Sequence, residues 1–222
     1  MKYKDFMEKW AKENGYEDKI RDVLPFIELQ DERNELFGIL QGDVTSADEM
    51  LKQNPTNQYL RRTVVRTTFA MIEGHLNILA QNVLDGYRNN QFSLSKEELE
   101  KIAEEISTKR GMRPKYMSMG DKVTFYFKIF ARKFGGLDFI VDSTTKGWDQ
   151  FDNAIQIRNR LMHPKQLEDT SVDDKQLTSI IDVARWFLSL NSQLLNNVYE
   201  VGQRKIVKDL ISARIKGIRA GK

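Results

Sequence analysis

Arg158, Asn159 and His163 lie within six residues of one another, and their side chains could act together on a phosphodiester. An arginine fork can hold a phosphate through two parallel hydrogen bonds, and an imidazole can give or take a proton near neutral pH. An asparagine beside the arginine can orient the imidazole or the substrate. These side chains could handle a phosphodiester without a metal ion, so phosphodiester chemistry is the first expectation for this site.

The helical pattern that carries these residues begins near Thr144 or Thr145, and either residue could act as its N-cap. Pro164 disfavours the α conformation at the residue before it, so the helix should end at His163. The ring of His163 is then free of helical geometry, and the helix dipole favours its protonated form. The pattern therefore predicts a helix that presents His163 at its C-terminal end.

Arg158 falls in the middle of the apolar side of this predicted helix. On a wheel of about 100° per residue, most of the apolar residues lie within about 60° of it. They are Phe151, Ala154, Ile155, Leu161 and Met162. An unpaired charge is costly in such a place, so we expect Arg158 to be largely buried, within the chain or at a dimer contact, and to bond an acid or face a polar cleft. The alternative is an arginine paired to a core carboxylate for structural reasons, with His163 as an ordinary C-cap.

The order Arg158, Asn159, three further residues, His163 and Pro164 resembles the RxxxxH motif of HEPN domains. The resemblance covers the motif helix and, more loosely, residues 57–201, whereas residues 1–55 resemble nothing familiar. It implies an all-helical bundle and maps Arg158, Asn159 and His163 onto the active residues of the family. Many members are metal-independent ribonucleases of toxin, antiviral and RNA-processing systems. The resemblance also implies a homodimer in which two motifs face each other across one cleft.

Composition agrees with a helical protein. The chain has 222 residues, with only 13 glycines and 4 prolines, and long segments contain neither. Apolar periodicity of 3.6 residues predicts an all-α, up-and-down helical bundle. Within it we expect an acidic N-terminal helical arm over residues 1–55 and a bundle over residues 56–222 that includes a basic C-terminal helix. Cysteine is absent, which excludes a disulfide framework, and no signal peptide or membrane span is apparent, so a cytoplasmic location is expected.

Charge is spread unevenly, although the net charge is only +3. Residues 1–50 contain thirteen acids against seven bases, whereas residues 109–133 contain eight bases against one acid. Residues 204–222 are again basic. This asymmetry predicts a surface that binds a polyanion, which for this motif would be RNA. The proposed RNA-binding residues are Arg110, Arg113, Lys115 and Arg160.

A long helix is predicted from Asn57 to about Tyr87, with a buried stripe. The stripe consists of Val65, Phe69, Ile72, Leu76, Leu79 and Val83. Arg66 and Glu73 lie on one flank of it and could approach Arg158 across the bundle as supporting polar residues. A solvated or salt-bridged flank is the other interpretation. His75, near the stripe, is expected to be a partly buried structural histidine.

Breakers and caps predict the remaining elements. Helices are expected over residues 3–14 and after Pro25. The other predicted features are a loop over residues 42–56, a capping box at Ser95-Glu98, a basic loop over residues 108–118, a helix over residues 120–134, and a cap at Ser171 for the last helix. The helix over 120–134 is rich in aromatic residues, which are expected mainly in the core, although they could also stack on RNA bases. Gly202 could bend or end the last helix, and the basic tail beyond it could dock, dimerise or lie on a membrane.

These observations lead to two functional hypotheses. The first is a HEPN-like, metal-independent endoribonuclease that cleaves single-stranded RNA, possibly in a toxin–antitoxin or phage-defence system with an antitoxin or other partner protein. The second is a non-catalytic HEPN-like helical module for dimerisation or for binding protein or RNA. A P-loop, a Gly-x-Ser-x-Gly elbow and a His- or Cys-based metal site all lack support, so neither a cofactor nor a bound metal is expected.

Overall fold

The computed structural model describes residues 3–14, 24–106 and 117–219, and most of these residues are helical. The described part contains seven α-helices and no strand, which confirms the predicted all-α class. They are α1 (Tyr3–Asn14), α2 (Leu24–Gln53), α3 (Gln58–Arg88), α4 (Lys96–Ile106), α5 (Met119–Phe130), α6 (Lys146–Met162) and α7 (Asp174–Arg219). A π-helical turn (Ala131–Gly135) follows α5, and a 3-10 turn (Leu167–Thr170) precedes α7.

The chain separates into two compact units, Met1–His75 and Leu76–Lys222, and the division falls within α3. The predicted boundary at residue 55 coincides with the turn over residues 54–57 that joins α2 to α3. Whether the segment before that turn behaves as a separate arm stays a prediction. The predicted apolar stripe of α3 is confirmed, because all six of its residues are buried.

In the first unit, α1 packs against α2, and α2 is longer than expected. The predicted loop over residues 42–56 is wrong for most of its length, since α2 continues to Gln53. Ala47 and Leu51, four residues apart, are both buried and hold this part of α2 in place. That packing outweighs the cost of about 1 kcal/mol for the helical Gly42. The break comes at the turn, where Asn57 Oδ1 accepts a hydrogen bond from Tyr59 N at 2.9 Å and caps α3.

In the second unit, α6 and α7 form an antiparallel hairpin. Its register follows from three contacts in order along the pair: Gly147 with Trp186, Gln150 with Asp182, and Arg160 with Gln176. The aromatic rings of α5 fill the core beside this hairpin. The Phe127 ring centroid lies 5.8 Å from that of Phe187 on α7 and 6.0 Å from that of Phe139. The core interpretation is therefore confirmed for Tyr126, Phe127 and Phe130, which are all buried.

Two predicted helix ends are confirmed and one is wrong. Ser95 and Glu98 form a reciprocal capping box at α4, with Ser95 N donating to Glu98 Oε2 at 2.9 Å and Glu98 N to Ser95 Oγ at 3.2 Å. Gly136 ends the α5 segment in the left-handed region, with φ of 60°. Ser171 does not cap α7. Asp173 takes that place because its Oδ1 accepts a hydrogen bond from Gln176 N at 2.8 Å, within the first turn.

The backbone of α7 continues past residue 202 to Arg219, so Gly202 does not end the helix. The side chains of residues 202–222 lie outside the described residues, as do residues 107–116, which include most of the predicted basic loop over residues 108–118. The predicted roles of the basic tail therefore stay predictions. Within the described ranges, no helix combines the length and apolar character needed to cross a membrane.

Candidate functional site

One helix, α6, carries the three motif residues, and both of its ends are placed as predicted. Thr145 Oγ1 caps the start by accepting a hydrogen bond from Trp148 N at 3.3 Å. The helix ends at His163, whose φ of −133° and ψ of 58° lie outside the α region. The backbone N–H of His163 still donates to Asn159 O at 3.1 Å. The imidazole therefore leaves the chain where helical geometry has just ended.

Arg158 is half-buried, and its Nη1 donates to Asn159 Oδ1 at 3.1 Å. Two of the three motif residues are thus in direct contact. The expectation that Arg158 is largely buried is not met within the chain. A helical wheel gives the direction of a side chain but not how far the core extends, and in the last turn of α6 the core covers Leu161 while Arg158 is only half-buried. Met162, beside Arg158 on the wheel, is 48% exposed.

His163 is exposed, and its surroundings contain unusually accessible apolar residues. Leu167, four residues further on, is 81% exposed. The backbone between them is nevertheless well supported, because Asp169 Oδ2 accepts hydrogen bonds from Lys165 N at 2.8 Å and from Gln166 N at 3.1 Å. The motif therefore ends in an exposed imidazole on a turn held by its own hydrogen bonds.

Arg160 connects this end of α6 to the start of α7. Its Nη2 donates to Ser171 O at 2.7 Å and to Gln176 Oε1 at 3.1 Å. The same Gln176 oxygen accepts from Asp173 N at 3.2 Å, so the arginine belongs to the capping arrangement of α7. This bridging role was missed in the sequence. The Asp173-x-x-Gln176 capping pattern was the signal that could have located the start of α7.

A groove of about 420 Å³ lies between α6 and α7 beside Arg160. Both charged residues that line it, Arg160 and Lys175, are basic, and the other polar groups are amides and a hydroxyl. Arg160 is two positions beyond Arg158 on the helix, so the two side chains leave α6 about 160° apart. The groove and the Arg158–Asn159 pair consequently lie on different sides of the same helix.

The part of the chain that the structure describes does not test the remaining proposed site residues. Arg66 and Glu73 are both exposed on α3 within the first unit, and their approach to Arg158 stays a prediction. Arg110, Arg113 and Lys115 lie outside the described residues. Two other bases of the predicted RNA surface, Arg132 and Lys133, form ion pairs with Glu98, at 3.2 Å for the lysine.

His75, the second histidine of the chain, is buried, in agreement with a structural role. Its ring centroid lies 4.3 Å from that of Phe37, within the first unit. Across the described ranges, no group of three or more His, Asp or Glu side chains is arranged to hold a metal ion.

Comparisons with protein-family models, curated proteins and solved structures give no match to this chain. The resemblance to HEPN domains therefore stays a prediction that rests on the motif of α6 and, more loosely, on residues 57–201.

Proposed function

We propose that this protein is a HEPN-like, metal-independent endoribonuclease that cleaves single-stranded RNA. The observation that carries the proposal is the end of α6, where the contacting Arg158–Asn159 pair is followed by an exposed His163. The arginine and the histidine are five residues apart, which corresponds to about 7.5 Å along a helix axis. Two such side chains can reach one phosphodiester from the same helix end.

In the proposed reaction, the 2′-hydroxyl of a ribose attacks the adjacent phosphorus. The bond to the 5′-oxygen of the next nucleotide breaks, which leaves a 2′,3′-cyclic phosphate and a free 5′-hydroxyl. His163 accepts the proton of the attacking hydroxyl or donates one to the leaving oxygen. Arg158 binds the non-bridging phosphate oxygens, whose charge rises in the transition state.

RNA binding is the second part of the proposal. Phosphates are attracted by the two bases of the α6–α7 groove, Arg160 and Lys175, and by the basic segment with Arg110, Arg113 and Lys115. DNA is not cleaved, because it lacks the attacking hydroxyl.

Assembly as a homodimer is the third part. Met162 and Leu167 are apolar, exposed and adjacent to the motif end, and such residues are well suited to an interface between two copies. A toxin–antitoxin or phage-defence setting, with an antitoxin that covers the same surface, is the biological role we propose for this enzyme.

The test is cleavage of a panel of single-stranded RNAs in the presence of EDTA, with the product ends identified by mass spectrometry. The wild-type protein should leave 2′,3′-cyclic phosphates. His163→Ala should abolish cleavage, and Arg158→Lys should reduce it strongly, because lysine keeps the charge and loses the fork. Asp152→Asn, a change at an exposed residue of α6, serves as the matched control and should cut like wild type.

Equal cleavage by wild type and His163→Ala would refute the catalytic role of the motif and identify the activity as contamination. In that case the non-catalytic binding module becomes the better description. Sedimentation of the same preparations tests the dimer, and a monomer at all working concentrations would refute that part alone.

A further inference from the structure

A second pocket, of about 470 Å³, lies between the connector 138–142 and one side of α7. The connector joins the π-helical turn to α6 and contributes Asp138 and Asp142, the only charged residues among the described ones that line the pocket. Across from them, α7 contributes Trp186, Gln193 and Asn197. The pocket is therefore acidic, with an indole and two amides on the opposite wall. These groups take no part in the proposed nuclease site.

The connector has the burial pattern of an isolated β-strand. Phe139 and Val141 are buried, whereas Asp138 and Asp142 are exposed and Ile140 is 78% exposed. Strict alternation of buried and exposed residues is the signature of extended backbone with one face on a core. Valine, isoleucine and phenylalanine also favour strands. The segment is thus extended, although no other described segment pairs with it.

The backbone of this segment is available for pairing. Among the described residues, none forms a hydrogen bond with the backbone N–H or C=O groups of Asp138, Phe139, Ile140 or Val141. Unpaired groups along an extended segment are a template for an added strand. The pocket beside the connector provides the space into which a side chain of that strand could extend.

Two groups of the pocket, the Asp142 carboxylate and the Trp186 indole, are held in place by neighbouring residues. Asp142 Oδ1 accepts hydrogen bonds from Thr144 N at 2.8 Å and Thr144 Oγ1 at 2.7 Å, and these bonds lower the pKa of Asp142 below its usual value. The carboxylate therefore stays charged at neutral pH. The Trp186 ring packs against Phe151, with centroids 5.3 Å apart. An indole ring across a pocket from two carboxylates is a favourable place for a guanidinium or ammonium group.

We propose that the connector 138–142 and its pocket bind an extended, basic peptide segment of a partner protein. The peptide adds as a strand along the connector, and one arginine or lysine side chain enters the pocket over Trp186, between Asp138 and Asp142. The charge of the pocket favours a basic peptide over RNA as its ligand. The two carboxylates attract a basic peptide and repel the phosphates of RNA. The inference is independent of the nuclease proposal and holds for a catalytic or a non-catalytic protein.

The probe is a fluorescein-labelled (Arg-Val)4 peptide, with (Glu-Val)4 as the charge control, titrated into the full chain at low ionic strength. The double variant Asp138→Asn/Asp142→Asn should weaken binding of the basic peptide roughly five- to tenfold. Asparagine at 142 keeps an oxygen for Thr144, so the local turn is preserved. Asp152→Asn removes one exposed carboxylate of α6 outside the pocket and should leave the affinity unchanged.

Backbone pairing is tested with two N-methylated versions of the peptide, one blocked at the arginines and one at the valines. A strand points alternate N–H groups to opposite edges, so one version should lose binding and the other should keep it. No detectable binding of (Arg-Val)4, or equal binding by the double variant, would overturn the proposal. Equal binding of both methylated peptides would overturn the added strand. Cleavage of RNA by the double variant, measured in parallel, reports on the nuclease proposal separately.

Discussion

The two halves of α6 differ in how they are held, although they belong to one continuous helix. In the first half, Gly147 and Phe151 pack against Trp186 of α7. In the second half, Arg158 is half-buried, and Met162 and the following His163 are exposed. Aromatic packing holds the first half, whereas the second half combines one buried apolar residue, Leu161, with polar contacts and a turn. The difference suggests that stability and chemistry can be changed independently within this helix, which the following substitutions test.

The largest loss of stability is expected in the packed half. Phe151 is 0% exposed and its ring centroid lies 5.8 Å from that of Trp148, so Phe151→Ala leaves a cavity in the aromatic core. We expect the free energy of unfolding to fall by about 3–5 kcal/mol in urea denaturation. Met162→Ala, in the open half, should cost less than about 1 kcal/mol. Similar losses for the two variants would show that the halves are equally packed.

A smaller loss is expected from the close contact at Gly147. A Cβ atom there would overlap the Trp186 indole, so the ring must shift in Gly147→Ala, at a cost of about 1–3 kcal/mol. The same change at Gly42 meets no atom within 4 Å and should stabilise α2 by about 0.5–1 kcal/mol. Thermal unfolding should show a lower melting temperature for Gly147→Ala and a higher one for Gly42→Ala. If Gly147→Ala instead stabilises the protein, the Trp186 indole does not lie against residue 147.

An intermediate loss of stability is expected at Arg160, since it is half-buried and donates to both Ser171 O and Gln176 Oε1. Arg160→Ala should lower the free energy of unfolding by about 1–2 kcal/mol. The amides at the start of α7 should exchange faster with deuterium, because a contact that holds the loop is lost. Lys175→Ala, at an exposed residue of the same groove, should change neither quantity measurably. If the two variants behave alike, Arg160 is not a bridge between the helices.

The smallest effect on stability is expected at the motif itself. His163 is exposed, so His163→Ala should change the free energy of unfolding by less than about 0.5 kcal/mol. The proposed cleavage should nevertheless be lost completely. A chemical denaturation curve and an RNA assay on one preparation separate the two quantities. A destabilisation comparable to that of Phe151→Ala would mean that the histidine belongs to the packed structure.

Local signals in the sequence were sufficient for several elements. The capping box at Ser95 and the proline after His163 act within a few residues, and both ends formed as predicted. The stripe of α3 was predictable because a buried helix face repeats regularly along the chain. The loop over residues 42–56 was mispredicted because Gly42 suggested a break, whereas Ala47 and Leu51 are buried by contacts that the local sequence does not reveal.

The amino-acid sequence by itself determined the helical class, the ends of α6 and the grouping of Arg158, Asn159 and His163 on that helix. Helix periodicity, capping and proline geometry are properties of neighbouring residues. Only the tertiary structure decided that Arg158 is half-buried, that Arg160 bridges to the α7 cap, and that an unpaired extended segment borders an acidic pocket. Each of these depends on residues that are distant in sequence, and burial and pairing are set by which segments meet in space.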